Sequence, residues 1–273
     1  MKAPPFDYVR AQRQEDVFAL LAEHGADAQI LAGGQSLLAS LNLRLSEPRL
    51  LIDITHLPGL SGIALEDDTL RIGALTRHVA IERSPLMARH APLLAQAVRH
   101  VAHPAIRNRG TIGGSLCLND PAAEYPACAV ALGATLRLRS AAGTREIAAE
   151  AFFNGVYGTA LRPGEMLESV GIPVLRDGEC SVFQELARRH GDYAMVGVAI
   201  HGPIAAPRIV FLAVGNGPTI ARHAAAALPQ GIAAAQARLG DDLDPSGDLQ
   251  ASPATRLHLA RVLLGRALTE FTA

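Results

Sequence analysis

The sequence predicts an α+β protein, because one strand–loop–helix–strand unit is followed by two hairpin patterns and then by a late group of strands. In the first unit, an amphipathic helix over about Gln14 to His24 precedes a short apolar strand, Gln29 to Ala32. A leucine-rich helical segment, Leu37 to Leu45, and a second strand, Leu50 to Ile54, complete it. We therefore expect a small α/β lobe over residues 1–56.

Two hairpins indicate a larger second lobe over residues 57–176. The segment GIALEDDTLRIGAL has two apolar runs separated by acidic residues, and TLRLRSAAGTREI turns at Ala142-Gly143. Between them, Pro85 and Pro92 open short helices. The stretch HPAIRNRGTIGGSLCLNDPAAEYPA is expected to be irregular, before a helix that ends at Leu132.

A third region, residues 177–273, begins after a polar segment that resembles a domain linker. Three strands are predicted near Ser181 to Ala187, Ala194 to His201 and Arg208 to Val214. Alanine-rich helical segments follow, and an apolar stripe predicts a final helix over about Pro253 to Phe271.

Charge and cysteine content exclude several classes of function. The 273 residues contain 25 Lys plus Arg and 26 Asp plus Glu, and this balance gives no basic surface for nucleic acid or anionic lipid. The three cysteines form no C-x-x-C pair, so structural zinc and an in-chain iron–sulfur cluster are not expected. The segment MKAPPFDYVRAQRQED lacks the apolar stretch of a signal peptide, and no apolar run is long enough to span a membrane, which predicts a cytoplasmic location.

Two Gly-Gly loops are the main candidates for ligand binding. Paired glycines after an apolar segment let several backbone N–H groups converge on a phosphate, and neighbouring hydroxyls add donors. Each loop is equally compatible with a simple tight turn, and neither matches G-x-G-x-x-G or the P-loop. The candidate residues are Ala32, Gly33, Gly34, Gln35 and Ser36 in the first loop, and Thr111, Ile112, Gly113, Gly114 and Ser115 in the second.

Other polar residues carry weaker signals. Asp120 precedes Pro121 and a helical segment, so it fits either a helix N-cap or a carboxylate that binds ligand hydroxyls. Tyr193 lies in a polar turn between strands, where it can pack at a sheet edge or against a planar ring. The ten histidines show no metal-ligand spacing, and no G-x-S-x-G elbow is present, so no metal site and no catalytic triad are predicted.

These motifs together resemble the FAD-binding medium subunit of molybdenum hydroxylases, such as carbon monoxide dehydrogenase and xanthine dehydrogenase. The resemblance rests on four segments in the family's order, which span nearly the whole chain. They are ILAGGQSLLASLNLRLSEPRLLIDI, VAHPAIRNRGTIGGSLCLNDPAAEYPA, AFFNGVYGTALRPGEMLESVGIP and FQELARRHGDYAMVGVA.

The resemblance implies the two-lobed FAD-binding fold of the vanillyl-alcohol-oxidase-like (PCMH) type, followed by a three-stranded antiparallel sheet with a helical bundle. It implies that both glycine loops hold the FAD diphosphate, that Asp120 meets the ribityl region, and that Tyr193 and Leu167 border the isoalloxazine. The function implied is electron transfer through FAD, with no catalytic residue in this chain. A large molybdenum–pterin subunit and a small subunit with two [2Fe-2S] clusters are the implied partners, in a dimer of heterotrimers.

Two departures from the family pattern qualify this expectation. Gln35 occupies a position where related flavoproteins use histidine for covalent attachment, so we predict non-covalent FAD. Gln184 and Glu185 occupy a region where the family often has lysine, which leaves the tuning of the flavin and the final acceptor open. The alternatives are a stand-alone FAD-dependent reductase or oxidase, similar to the UDP-N-acetylenolpyruvoylglucosamine reductases, and a flavin-free scaffolding subunit.

Overall fold

Three β-sheets organise the chain in a computed structural model that describes residues 2–273. The strands are β1 Asp7–Arg10, β2 Ala28–Leu31, β3 Leu50–Asp53, β4 Ile63–Glu66, β5 Thr69–Gly73, β6 Thr135–Ser140, β7 Gly143–Ala148, β8 Met166–Pro173, β9 Glu179–Leu186, β10 Val196–Pro203, β11 Arg208–Leu212 and β12 Thr219–Ile220. The helices are α1 Gln14–His24, α2 Leu37–Asn42, α3 His78–Arg83, α4 Pro85–His90, α5 Pro92–Ala97, α6 Pro104–Arg107, α7 Ile112–Leu118, α8 Glu124–Ala131, α9 Ala149–Phe152, α10 Arg222–Ala227, α11 Ile232–Arg238 and α12 Pro253–Phe271.

The first sheet is parallel, with strand order β1-β3-β2, and it carries the first glycine loop at the end of β2. Its central strand β3 is buried along its whole length, and Val17 and Phe18 of α1 pack in the same core. Helix α2 ends three residues earlier than predicted. Arg44 adopts a left-handed backbone conformation with φ 56°, which does not continue a right-handed helix.

The second sheet is antiparallel, with strand order β4-β5-β8-β6-β7. Both predicted hairpins are present, as β4–β5 and β6–β7. Strand β8 lies between them, with Val170 opposite Ile72 on one side and Leu136 on the other. The two hairpins, far apart in sequence, therefore share one sheet and one hydrophobic core.

The C-terminal sheet has strand order β12-β11-β10-β9 and is also antiparallel. The three predicted strands are present, but β12 adds a fourth, so the expected three-stranded sheet is extended by one edge strand. With only two residues, opposite Phe211 and Val210, β12 is too short to show a periodic pattern. Helix α12 packs against β9 and β10. No helix within residues 2–273 has the length and apolar character needed to cross a bilayer.

The segment expected to be irregular contains the short helices α6 and α7. The Thr111 hydroxyl caps α7 by accepting from the amide of Gly114 at 3.1 Å, and α7 ends where Asn119 adopts φ 49°. Glycine has a low helix propensity, which hides this helix from a sequence pattern. The cap places the second glycine loop inside the first turn of α7.

Candidate functional site

The two glycine loops meet at a cleft between the first and second sheets. A Cβ atom on Gly33 would lie 2.5 Å from the carbonyl oxygen of Arg109 and 2.8 Å from Cα of Gly110. Only glycine permits this approach, so the contact joins the two loops directly. The cleft at this contact is lined by Ala32, Gly33, Thr55, Leu75, Arg77, Arg109 and Thr111.

The first loop presents a run of free backbone donors. Within residues 2–273, none of the amides of residues 32–36 donates to a protein acceptor. The Ser36 side chain is exposed and makes no hydrogen bond within the described residues. The Gln35 side chain is half-buried and donates from Nε2 to the carbonyl of Gly33 at 3.0 Å. Unpaired N–H groups beside glycines can form a cradle for an anion such as phosphate.

The second loop uses its amides differently. Ile112 donates to the carbonyl of Thr76 at 3.0 Å, and Gly113 donates to that of Ala74 at 2.9 Å. The Gly114 amide donates to the Thr111 hydroxyl, and the Ser115 amide donates to the Thr111 carbonyl, each at 3.1 Å. The amides of residues 112–115 are therefore engaged within the protein. The donors of this loop that remain for a ligand are the half-buried Ser115 hydroxyl, the Thr111 hydroxyl and the Thr111 amide.

Two arginines that the sequence analysis missed face the same cleft. Arg77 and Arg109 are both lining residues, both are exposed, and neither forms an ion pair with a carboxylate within residues 2–273. Arg77 is bridged to Thr111 through the backbone, which fixes its position beside the second loop. Two arginines without an ion-pair partner at a cleft with free amides supply positive charge that suits a diphosphate.

Asp120 lies at the far end of α7, close to two exposed tyrosines. Its Oδ1 accepts from the amide of Ala122 at 2.9 Å, and its Oδ2 lies 3.5 Å from the hydroxyl of Tyr157. Helix α8 begins at Glu124 with Ala123 as its N-cap, so Asp120 stabilises the preceding turn and does not cap the helix. Local desolvation and the carboxylates of Asp120 and Glu124 raise the pKa of Tyr193.

Leu167 occupies a different environment from Tyr193. Its side chain is 4% exposed and lies in the core of the second sheet, whereas that of Tyr193 is 68% exposed. The structure thus brings Asp120 and Tyr193 to one surface but does not bring the Leu167 side chain to it. The thiol of Cys117 lies beside the Leu167 backbone, and burial raises the pKa of that thiol to about 12.

Two glutamates lie behind this surface. Burial, with the nearby Asp120, raises the pKa of Glu124 to about 7. Burial and the charge of Glu124 raise the pKa of Glu185 to about 8, and the Glu185 Oε2 atom is buried without a hydrogen-bond partner. Glu185 is therefore largely protonated, and hence neutral, at pH 7.

Two family profiles cover nearly the whole chain. The family described as the FAD-binding domain in molybdopterin dehydrogenase matches residues 4–175, and the C-terminal domain of the carbon monoxide dehydrogenase flavoprotein matches residues 181–271. The first match includes both glycine loops, Arg77, Arg109 and Asp120. The second includes Tyr193 and Glu185.

Relatives with known names agree with these profiles. The chain is 39% identical over 282 residues to the alpha subunit of the 6-hydroxypseudooxynicotine dehydrogenase complex of Paenarthrobacter nicotinovorans, covering 99% of this chain and 95% of that one. It is 34% identical over 278 residues to the medium chain of carbon monoxide dehydrogenase of Afipia carboxidovorans, covering 96% and 95%.

Solved structures confirm the fold. A chain of carbon monoxide dehydrogenase from Hydrogenophaga pseudoflava, in a form that lacks the Mo-pyranopterin moiety of its cofactor, superposes with a TM-score of 0.96 at 33% identity, covering 100% and 99% of the two chains. A chain of quinoline 2-oxidoreductase from Pseudomonas putida 86 gives 0.94 at 36% identity, covering 99% and 98%. The chain belongs to the family of FAD-binding medium subunits of molybdenum-containing dehydrogenases, and it is the flavin subunit of an oxidoreductase.

Proposed function

We propose that this chain carries electrons through FAD, taking them from the [2Fe-2S] clusters of a partner subunit and passing them to an external acceptor. The observation that carries the proposal is the cleft at Gly33 and Arg109, whose lining includes residues with free amides and two arginines without an ion-pair partner. This donor set matches a diphosphate in charge and hydrogen bonding. Bound FAD supplies the redox chemistry, since flavins exchange one or two electrons.

The residues of this chain have binding and positioning roles in the proposal. The amides of residues 32–36, together with Thr111, Ser115 and the two arginines, hold the diphosphate. Ile112, Gly113 and Gly114 shape the second loop, since a Cβ on Gly113 would lie 2.6 Å from the Ala74 carbonyl oxygen. Asp120 accepts hydrogen bonds from the ribityl hydroxyls, Tyr193 covers the ring, and Leu167 supports that region from the core.

Attachment of FAD is proposed to be non-covalent. The residue after Gly34 is Gln35, whose amide nitrogen already donates to the carbonyl of Gly33. A carboxamide is not a nucleophile toward the flavin methyl group, in contrast to the imidazole of histidine. FAD should therefore dissociate when the protein is unfolded.

The partners are proposed to be a large molybdenum–pterin subunit and a small subunit with two [2Fe-2S] clusters, assembled as a dimer of heterotrimers. Names of the relatives support this, because they describe a complex subunit alpha, a medium chain and a medium subunit. With three cysteines, the chain cannot supply the four thiolates of one such cluster. The division into residues 1–56, 57–176 and 177–273 and the cytoplasmic location stay predictions.

Metal analysis of the native complex tests this function. The chain is tagged at its chromosomal locus, isolated under mild conditions, and analysed for FAD, molybdenum and iron. We expect all three, and dithionite-reduced clusters should pass electrons to an artificial acceptor only while FAD is bound. If the tagged chain copurifies with no molybdenum or iron and turns over alone, the stand-alone reductase is the correct assignment.

A further inference from the structure

One exposed aromatic residue near the site has an unfavourable backbone conformation. Tyr157 adopts φ 53°, a region that residues with a Cβ rarely occupy, and its side chain is 59% exposed. An exposed ring adds little to the core. A strained residue that adds little to packing points to a role in binding, because the rest of the structure must hold it in place.

The strain is maintained by Asn119, the residue that ends α7. The Asn119 side chain is fully buried, and its Nδ2 donates to the carbonyls of Gly155 and Gly158, both at 2.8 Å. The Tyr157 amide donates to the Asn119 carbonyl at 3.3 Å. The loop of residues 155–158 is therefore tied from both ends to the helix that contains the second glycine loop.

This attachment places the Tyr157 ring on the surface that carries Asp120 and Tyr193. The Tyr157 hydroxyl lies 3.5 Å from Asp120 Oδ2. Desolvation, Asp120 and the neighbouring Tyr193 raise the pKa of the Tyr157 phenol. Both phenols therefore stay neutral at physiological pH and can lie against a planar ring.

We propose that Tyr157 is a second aromatic contact of the flavin ring system, held in a strained conformation by Asn119 on the surface that carries Asp120 and Tyr193. This inference rests on the proposed function, since it requires that FAD occupies the cleft. The exposed side chain of Val156 beside it would also suit contact with a protein partner, and the test separates the two.

Tyr157→Gly is the informative variant, because glycine accepts φ 53° without strain. The FAD-free variant should unfold at the same temperature as the unmodified chain or higher. Its Kd for FAD should rise by about fivefold to thirtyfold, the usual range for losing one aromatic stacking contact. The fluorescence of the bound flavin should increase. Tyr157→Phe should retain most of the affinity, and Val156→Ala should leave it unchanged.

The outcomes are distinguishable. If the unmodified chain takes up no FAD, the proposed function fails and this inference fails with it. If the unmodified chain and Tyr157→Gly bind FAD equally well, only the role of Tyr157 is wrong. Normal FAD affinity combined with loss of partner subunits from the tagged complex would assign Tyr157 to a protein interface and likewise overturn the flavin contact.

Discussion

The α-carbon of Gly33 lies so close to the carbonyl of Arg109 that a methyl group between them would approach the oxygen to 2.5 Å. Gly33 and Arg109 are 76 positions apart in the sequence, so their contact places the small parallel sheet against the second glycine loop. Ordinary carbon–oxygen contacts exceed 3 Å, so a side chain here forces the loops apart. The proposed FAD site depends on this contact.

Replacing Gly33 with alanine should therefore reduce both stability and FAD binding. We expect a loss of about 1–3 kcal/mol in the free energy of unfolding, typical of overpacking, and at least about a tenfold rise in the Kd for FAD. Urea unfolding and a flavin titration measure the two effects. Gly240→Ala is the control, because Gly240 is exposed between α11 and α12, does not line the cleft, and has room for a Cβ atom. Equal FAD affinity in Gly33→Ala would show that the loops do not hold the diphosphate together.

The unpaired arginines of the cleft should contribute charge to FAD binding. Arg77→Gln and Arg109→Gln should each raise the Kd for FAD by about threefold to tenfold at low salt, with smaller effects at high salt because ions screen exposed charges. Fluorescence titration at two ionic strengths checks this. Arg89→Gln removes an exposed arginine of α4 and should have no effect. A Kd that is independent of salt in all the proteins would contradict the role of the two arginines.

The buried carboxyl of Glu185 should make the FAD-free protein less stable at alkaline pH. The folded chain retains the Glu185 proton until about pH 8, whereas the unfolded chain releases it near its ordinary pKa of 4.5. The free energy of unfolding therefore falls as pH rises through this interval.

Glu185→Gln cannot ionise, so above pH 8 it should be more stable than the unmodified chain. The expected gain is about 1–3 kcal/mol, the cost of a buried polar group without a partner, and it should vanish below pH 4.5. Urea unfolding on both sides of this interval measures the difference. Glu146→Gln, on the exposed side of β7, is the control. A stability difference that does not change with pH would show that Glu185 is already ionised in the folded chain.

Arg256 links the C-terminal helix to the Asp120 segment. Its Nη1 donates to the Ala213 carbonyl at 2.7 Å and its Nη2 pairs with Asp248, while the Ala213 amide donates to the Pro121 carbonyl at 2.8 Å. Arg256→Met should lower the free energy of unfolding by about 2 kcal/mol, as expected for the loss of a charged hydrogen bond. Arg266→Met, at an exposed position of the same helix, should cost much less by chemical unfolding. If the two variants lost the same free energy of unfolding, Arg256 would have no special role in linking the helix to the Asp120 segment.

Local patterns were sufficient to predict most elements of the fold. Helices α1 and α12 occupy the predicted residues, because a capped, periodic apolar stripe is a local property of the sequence. The pairing of β8 with both hairpins was not predictable, since Val170 lies 98 positions from its partner Ile72 in β5 and 34 positions from its partner Leu136 in β6. Helix α7 was missed because it is short and two of its first three residues, Gly113 and Gly114, have a low helix propensity.

The candidate site was predictable where a motif concentrates unusual residues. Both glycine loops and Asp120 are marked by their sequence context, and the structure brings the two loops into contact. Arg77 and Tyr157 carried no signal. A backbone bridge to Thr111 places Arg77 beside the second loop, and the buried side chain of Asn119 holds the loop that carries Tyr157. Sites assembled by such contacts become visible only in three dimensions.

The visible absorption spectrum of the purified chain, recorded before and after acid precipitation, shows directly whether the chain holds FAD and whether the attachment is covalent. We expect oxidised-flavin bands in the native protein, and FAD in the supernatant once the protein is unfolded. A colourless protein that also fails to take up added FAD would contradict the proposed site, and flavin that stays with the precipitate would contradict non-covalent binding.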